Sequence, residues 1–298
     1  AGRVSLLETL KQHLSHFYER HHDQLQKCYP GLTLHRMQSE LAHYFNTDLQ
    51  QAYIPGANPS LEQFFDGLEK GIPLEYMAEE AFFYNFPLRV DRRVLIPRKE
   101  TEILVEGAIS SLHRMVNQGE TSLQVVDLGT GSGAIALALA INYQGTIPLT
   151  ITAVDISLHS LALAQQNSAR LRYAVSPYCS LKWHCVDCLE WDFPSEKKFN
   201  LIVSNPPYIK ESEKESVHPQ VLRYEPSLAL FLKDEEYEEW YRRFFTHIQN
   251  QMFSEGEAWI EGNENHLGAL ACMASKLGLR AEIKRDYTLR ERFLVLSF

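Results

Sequence analysis

Apolar positions recur at two different periods along the chain, and the change of period near residue 80 divides it. Before that point the spacing is helical, with Leu7, Leu10, Leu14 and Phe17 on one face. Ahead of them Ser5 and Glu8 form a capping-box pattern, in which the Ser oxygen takes free N–H groups while the Glu reaches back. A second helix is predicted over Leu34 to Phe45, with Leu41, Tyr44 and Phe45 on its apolar side. The punctuated loop Ile54-Pro55-Gly56-Ala57-Asn58-Pro59 follows. Ser60 and Gln63 then mark a third helix, carrying Phe64, Phe65 and Leu68, which Gly71 and Pro73 end. Residues 1–80 therefore read as a small all-helical domain, without repeats or low-complexity tracts.

From Ala81 the character changes. Residues 81–95 are rich in aromatic and β-branched side chains and predict a β-hairpin linker over 81–96. Beyond it, over 97–298, strand-like and helical runs alternate. Strands are predicted at 124–128, 150–156, 181–187, 200–204 and 258–261, and helices at 134–142, 158–171, 235–252 and 266–277. Such alternation predicts an α/β domain with a mostly parallel, doubly wound sheet whose ligands sit at the carboxyl ends of its strands. The runs 281–287 and 292–298 lie close together and predict a C-terminal antiparallel hairpin. The acidic run from Asp234 to Glu239 marks a helix N-terminus, where negative charge is favourable.

Candidate chemistry begins at Asp127-Leu128-Gly129-Thr130-Gly131-Ser132-Gly133, which leaves a strand and opens a helix. Glycines permit the tight turn and let backbone approach a ligand without Cβ clashes. Gly129, Gly131 and Ala134 also satisfy G-x-G-x-x-A, so NAD binding fits as well as a nucleoside, and a purely structural turn is a third reading. Asp155, at the next strand end, can accept both ribose hydroxyls of either cofactor. Asp187, at the end of the third strand, suits an adenine amine, with Cys188 beside the ring; a capping or turn aspartate is the alternative.

The segment Ser204-Asn205-Pro206-Pro207-Tyr208 follows the apolar strand Leu201-Ile202-Val203. Two prolines remove two donors and fix φ, so the loop is stiff and its carbonyls are free to accept. An amide nitrogen is a poor nucleophile because its lone pair is delocalised. Acceptors on both its N–H bonds, the Asn205 side-chain oxygen and the Pro206 carbonyl, would favour a pyramidal nitrogen and stabilise the positive charge that develops. Tyr208 would stack on the planar group and hold it in line. A rigid turn alone is the plain alternative.

Composition narrows the field. Hydrophobic residues are 45% and charged residues 22% of 298, ordinary for a globular protein. The longest apolar stretch, from Ala134 to Ile141, falls short of the roughly 18–20 residues that span a bilayer. A net charge of −9 counts against a grip on duplex DNA. Five cysteines and no secretion-signal pattern fit a reducing, cytoplasmic setting. Cys185 and Cys188 form a CxxC without a second ligand pair, so strand-and-loop cysteines are expected rather than a metal. His13, His16, His21 and His22 read as a solvated helix face, and no metal site is expected.

Together these residues resemble the N5-glutamine methyltransferases that modify peptide chain release factors (the HemK/PrmC family). The likeness covers essentially the whole chain and includes Ile96-Pro97-Arg98-Lys99-Glu100-Thr101-Glu102, similar to the family's entry segment I-P-R-P-E-T-E, with Lys99 in place of the usual proline. Arg223-Tyr224-Glu225-Pro226 and Arg285-Asp286-Tyr287 are also similar. The resemblance implies a class I, Rossmann-like methyltransferase domain using S-adenosylmethionine, with Asp127 near the methionine amino end. It implies cofactor contacts at Asp127, Gly129, Thr130, Gly131, Ser132, Gly133, Asp155, Asp187, Cys188 and Asn205, although Cys188 stands where relatives often carry a bulky aromatic. Asn205, Pro206, Pro207 and Tyr208 would hold the substrate, with Asn205, Pro206 and Tyr208 in the methyl transfer. The implied target is the glutamine of a Gly-Gly-Gln tripeptide in a release factor, met by the helical domain of a monomeric enzyme that engages neither membrane nor nucleic acid directly. Three other readings stand beside it. One is a ribosomal-protein glutamine methyltransferase. Another is an adenine-N6 DNA methyltransferase, which would need a target-recognition region that is not evident. The third is an NAD- or nucleoside-binding protein, which leaves the 205–208 motif without a purpose.

Overall fold

The structure is a computed structural model that describes residues 9–45, 48–50, 53–54, 56, 59–191 and 198–298. Its contacts divide the chain into two compact units. One comprises Ala1–Glu80 with His218–Tyr224, the other Ala81–Val217 with Glu225–Phe298. The helix within His218–Tyr224 groups with the helical unit, a return of the chain that a linear boundary at residue 80 does not include.

The first unit contains α1 (Leu10–Arg20), α2 (His22–Cys28), α3 (Leu34–Phe45), α4 (Pro59–Lys70) and α5 (Leu74–Ala78). Helix α1 starts on a reciprocal cap: Thr9 Oγ1 accepts from Gln12 N at 3.2 Å and Gln12 Oε1 from Thr9 N at 2.9 Å. The similar Ser5–Glu8 signature and Leu7 lie outside the described residues, as do Pro55, Ala57 and Asn58 of the predicted loop. Helix α3 has the predicted bounds. Helix α4 begins at Pro59, so Ser60 is inside the helix rather than its cap; proline suits a first helical position because that N–H would be unbonded anyway. Leu10, Leu14, Phe17, Leu25, Met37, Leu41, Phe64 and Leu68 form the core. Two histidines depart from the solvated face. His13 packs against Tyr53 at 4.4 Å, and His21 stacks on Phe17 at 4.3 Å and pairs with Glu69 at 3.0 Å.

The second unit opens with the hairpin β1 (Glu80–Phe83) and β2 (Phe86–Arg89). There follow α6 (Thr101–Asn117), β3 (Leu123–Leu128), α7 (Ala134–Asn142), β4 (Leu149–Asp155), α8 (Leu158–Arg170) and β5 (Cys179–Cys185). After β6 (Phe199–Ser204) and β7 (Ile209–Lys210) the chain passes through α9 (Pro219–Tyr224, of the first unit) and β8 (Phe231–Leu232). It ends with α10 (Asp234–Gln251), β9 (Met252–Glu261), α11 (Leu267–Lys276), β10 (Arg280–Arg285) and β11 (Glu291–Ser297).

The large sheet has the order β10-β11-β9-β6-β3-β4-β5. Neighbours from β9 to β5 are parallel, and β11 runs antiparallel to both β9 and β10, as the C-terminal hairpin pattern predicts. The strand order reverses at β3, so the ends of β3, β4 and β6 flank the crevice where ligands bind in such sheets. Helix α7 matches its predicted bounds and is buried on nearly every side. Helix α10 starts at Asp234, with Asp234, Glu235 and Glu236 in its first turn.

Three differences matter for the site. Helix α6 was not among the predicted helices, although its buried positions Leu104, Val105, Ala108, Leu112 and Met115 keep helical spacing. Its Gly107 lets it lie on β9: an added Cβ would come within 2.2 Å of the Trp259 ring. Strand β5 ends at Cys185 rather than 187, so Asp187 falls in the following turn, where its Oδ1 accepts from Leu189 N at 2.9 Å. Strand β9 begins at Met252, six residues ahead of the prediction. No helix among the described residues is long and apolar enough to cross a membrane.

Candidate active site

The turn between β3 and α7 runs through left-handed backbone at Gly129 (φ 74°) and Gly131 (φ 54°). The N–H groups of Gly129 and Thr130 donate to Val154 O, each at 2.9 Å, which pulls the turn onto β4. A Cβ built on either Gly129 or Gly131 would meet nothing within 4 Å, so bare backbone fronts an open space there.

Asp127 closes the turn from inside. It is fully buried, and its Oδ2 accepts from Thr130 Oγ1 at 2.7 Å and Ala136 N at 3.2 Å. Its Oδ1 has no partner among the described residues. Burial pushes this carboxyl up to about 7; the two hydrogen bonds oppose the rise and the nearby Asp155 adds to it. A buried acceptor without a donor is costly, and such sites in native proteins call for a functional account.

Asp155, at the end of β4, accepts from Gly131 N and Ser157 N, each at 2.9 Å. Burial raises its carboxyl, against those backbone bonds. With Asp187 and Cys188 it borders a cavity of about 470 Å³. Burial, with the charge of Asp187 second, pushes the Cys188 thiol up to about 12. Gly129, Thr130, Gly131 and Ser132 line the same cavity, and so do Asn205, Pro206 and Pro207. The structure thus brings the glycine turn and the proline loop to one space.

The loop is held from behind. Ser204 Oγ donates to Leu128 O at 2.7 Å, tying the ends of β6 and β3 together. Two carbonyls expected to be free are taken by α10: Tyr241 Oη donates to Pro207 O at 2.8 Å and Tyr237 Oη to Tyr208 O at 3.2 Å. These bonds leave the acceptors upstream. Among the described residues nothing engages the Asn205 side chain or the Pro206 carbonyl. The Tyr208 side chain is absent from the cavity wall and lies among the charges of Glu261, Arg292 and Arg98.

Several buried polar residues beside the site were not singled out by the sequence. Asn167 of α8 accepts from Arg89 N at 2.7 Å and donates to Arg89 O and Ser132 O at 3.0 and 2.9 Å, joining hairpin, helix and glycine turn. Glu225 accepts from Ile96 N at 3.1 Å and pairs with Arg98 at 2.6 Å, fixing the segment that brings Pro97 and Thr101 to the cavity. Glu261, at the end of β9, accepts from Thr101 Oγ1 at 3.1 Å on each oxygen. The only sequence signal for Glu225 is its neighbourhood in the Arg223–Pro226 likeness; for Asn167 and Glu261 there is none.

A doubly wound sheet with a D-x-G-x-G-x-G turn at its switch point is the arrangement of the class I methyltransferases, and residues 106–224 match the family described as Methyltransferase small domain. The chain is 35% identical over 241 residues to the release factor glutamine methyltransferase of Chlorobaculum tepidum, covering 76% of this chain and 75% of that one. It is 34% identical over 233 residues to that of Flavobacterium psychrophilum, covering 78% and 77%. Among solved structures, the ribosomal protein L11 methylase from Lactobacillus delbrueckii subsp. bulgaricus shares 18% identity at a TM-score of 0.43, covering 70% of this chain and 82% of that one. The chain belongs to the release factor glutamine methyltransferase family.

Proposed function

We propose that this protein transfers a methyl group from S-adenosylmethionine to the side-chain amide nitrogen, N5, of the glutamine in the Gly-Gly-Gln tripeptide of peptide chain release factors. The observation that carries the reading is the meeting, in one cavity, of the Gly129–Gly131 backbone and Asp155 with Asn205 and the rigid Pro206-Pro207 pair. The residues present suit that cofactor. Bare glycine backbone admits close approach, the Asp155 carboxylate on the cavity wall would meet ribose hydroxyls, and the unpartnered Asp127 Oδ1 is an acceptor for an ammonium group. Asp187 and Cys188 on the cavity wall would meet the adenine.

When bound, S-adenosylmethionine supplies an electrophilic methyl on a sulfonium. The chain supplies placement and charge. Asn205 Oδ1 and Pro206 O accept the two N–H bonds of the substrate amide, drawing its lone pair out of conjugation and offsetting the positive charge that grows on nitrogen. Tyr241 and Tyr237 hold the loop so that these acceptors need no reorganisation. Tyr208 ends the loop beside the charge of Arg292. The helical unit is the candidate surface for recognising the release factor, because none of its residues lines the cavity.

The test is incubation with methyl-labelled S-adenosylmethionine and a release factor, its glutamine-to-alanine variant, or duplex DNA, using the parent protein and Asn205→Ala. Label should enter only the unmodified release factor, and Asn205→Ala should keep cofactor affinity while turnover drops by about 10²–10³, the usual cost of removing one such hydrogen-bonding group. Label in DNA, or equal label in the glutamine-to-alanine variant, would sink the reading. Undiminished turnover would remove Asn205 from it.

A further inference from the structure

Glu261 is buried, chemically capable and unused by the mechanism above. It ends β9, one residue past Ile260, which pairs with Ser204 at the end of β6, so its side chain arises next to the 205–208 loop. It is 1% exposed, and Thr101 Oγ1 is its hydrogen-bond donor. On the next strand Arg292 carries its charge beside both the Tyr208 phenol and Glu261, while its Nε donates to the buried Asp286 at 3.2 Å. From the entry segment Arg98 pairs with Glu225. Each guanidinium already has a carboxylate of its own, and Glu261 is the third carboxylate against two cations.

We propose that Glu261 is a positioning residue for methyl transfer: its charge, felt by Arg292, sets where the Tyr208 phenol rests and so aims the loop that carries Asn205 and Pro206. The proposal rests on the reading of that loop given above. The groups facing Glu261 are Thr101 and Glu100 at the start of α6, Arg292 on β11, Arg98 on the entry segment, and Tyr208 itself. Burial raises the Glu261 carboxyl to about 7, against the Thr101 hydrogen bond and the Arg292 charge, which places its change of charge in the neutral range. The ionised form, which only accepts hydrogen bonds, is the one matched to the Thr101 hydroxyl.

Glu261→Gln keeps the shape and removes the charge. In full-length protein carrying ring-¹³C tyrosine, the Tyr208 resonance is assigned with Tyr208→Phe and followed from about pH 5.5 to about pH 8.5. In the parent it should move through one step near neutrality, and in Glu261→Gln it should be flat. On release-factor substrate the parent kcat should rise across the same range. Glu261→Gln should show no such rise and a kcat about tenfold lower at the upper end, with cofactor affinity unchanged. An identical Tyr208 step in both proteins overturns the proposal, as does an unaltered kcat profile. A parent that methylates no release factor defeats the functional reading alone, because the resonance decides this one without turnover. Should Glu261→Gln fail to fold, Thr101→Val removes only the donor to Glu261 and should raise the midpoint by about one pH unit. An unmoved midpoint then overturns the proposal.

Discussion

Asp127 holds its proton more tightly in the folded chain than in the unfolded one, since burial lifts it from 3.8 to about 7. The sign follows directly. Below 3.8 both states are protonated and nothing is lost; between 3.8 and about 7 the unfolded chain gives up the proton that the folded chain keeps, so stability falls across that window and the loss is complete once the folded group ionises as well. Without ligand, Asp127→Asn should therefore gain on the parent from about pH 5 to about pH 7, at up to about 1.4 kcal/mol per pH unit, and then level off. Urea unfolding at a series of pH values measures this, and a constant gap would show that Asp127 does not titrate there. The same substitution should weaken binding of S-adenosylhomocysteine, since the unpartnered Oδ1 is the proposed acceptor for its amino group. A site that destabilises the empty fold and is satisfied by ligand is a common way for function to oppose stability.

Between elements, Asn167 shows what one amide can hold together. Its three hydrogen bonds serve backbone groups of β2 and of the glycine turn, all from within α8. Asn167→Ala removes all three of these buried bonds at once, and should cost about 2–4 kcal/mol in urea unfolding, well beyond one exposed hydrogen bond. A loss under about 1 kcal/mol would mean that water or another side chain replaces it. Nothing in the sequence marked this residue, and the reason is physical. The glycine turn, α7 and the proline loop depend on neighbours in the chain, so their residue types announce them. Asn167, Glu225 and Glu261 matter because of partners brought near by strand register, and no local pattern encodes register. Helix α6 is a different case: its buried positions keep helical spacing, but its first turn overlaps the entry motif, where residue types answer to chemistry as much as to helix formation. Tyr237 and Tyr241 sat on a helix predicted from spacing, yet their grip on the loop carbonyls needed the packed structure.

For the whole chain, the helical unit and the sheet unit each enclose a hydrophobic core, and the cavity proposed for the cofactor is lined by residues of the second unit only. Calorimetry should accordingly resolve two transitions, with saturating S-adenosylhomocysteine raising one of them, by about 2.7 kcal/mol at a hundredfold excess over Kd. A single transition that moves as a whole would mean that the units unfold together. The position of β11 carries a last consequence. It follows β10 in the chain, yet it lies inside the sheet, between β10 and β9. A ribosome that has released β10 but not β11 has made a strand with nothing beside it to pair with, while β9 still presents an open edge. The sheet therefore closes from within: β10 can join it only through β11, and Arg292, carried on β11, takes its place beside Glu261 only when that strand fills the gap.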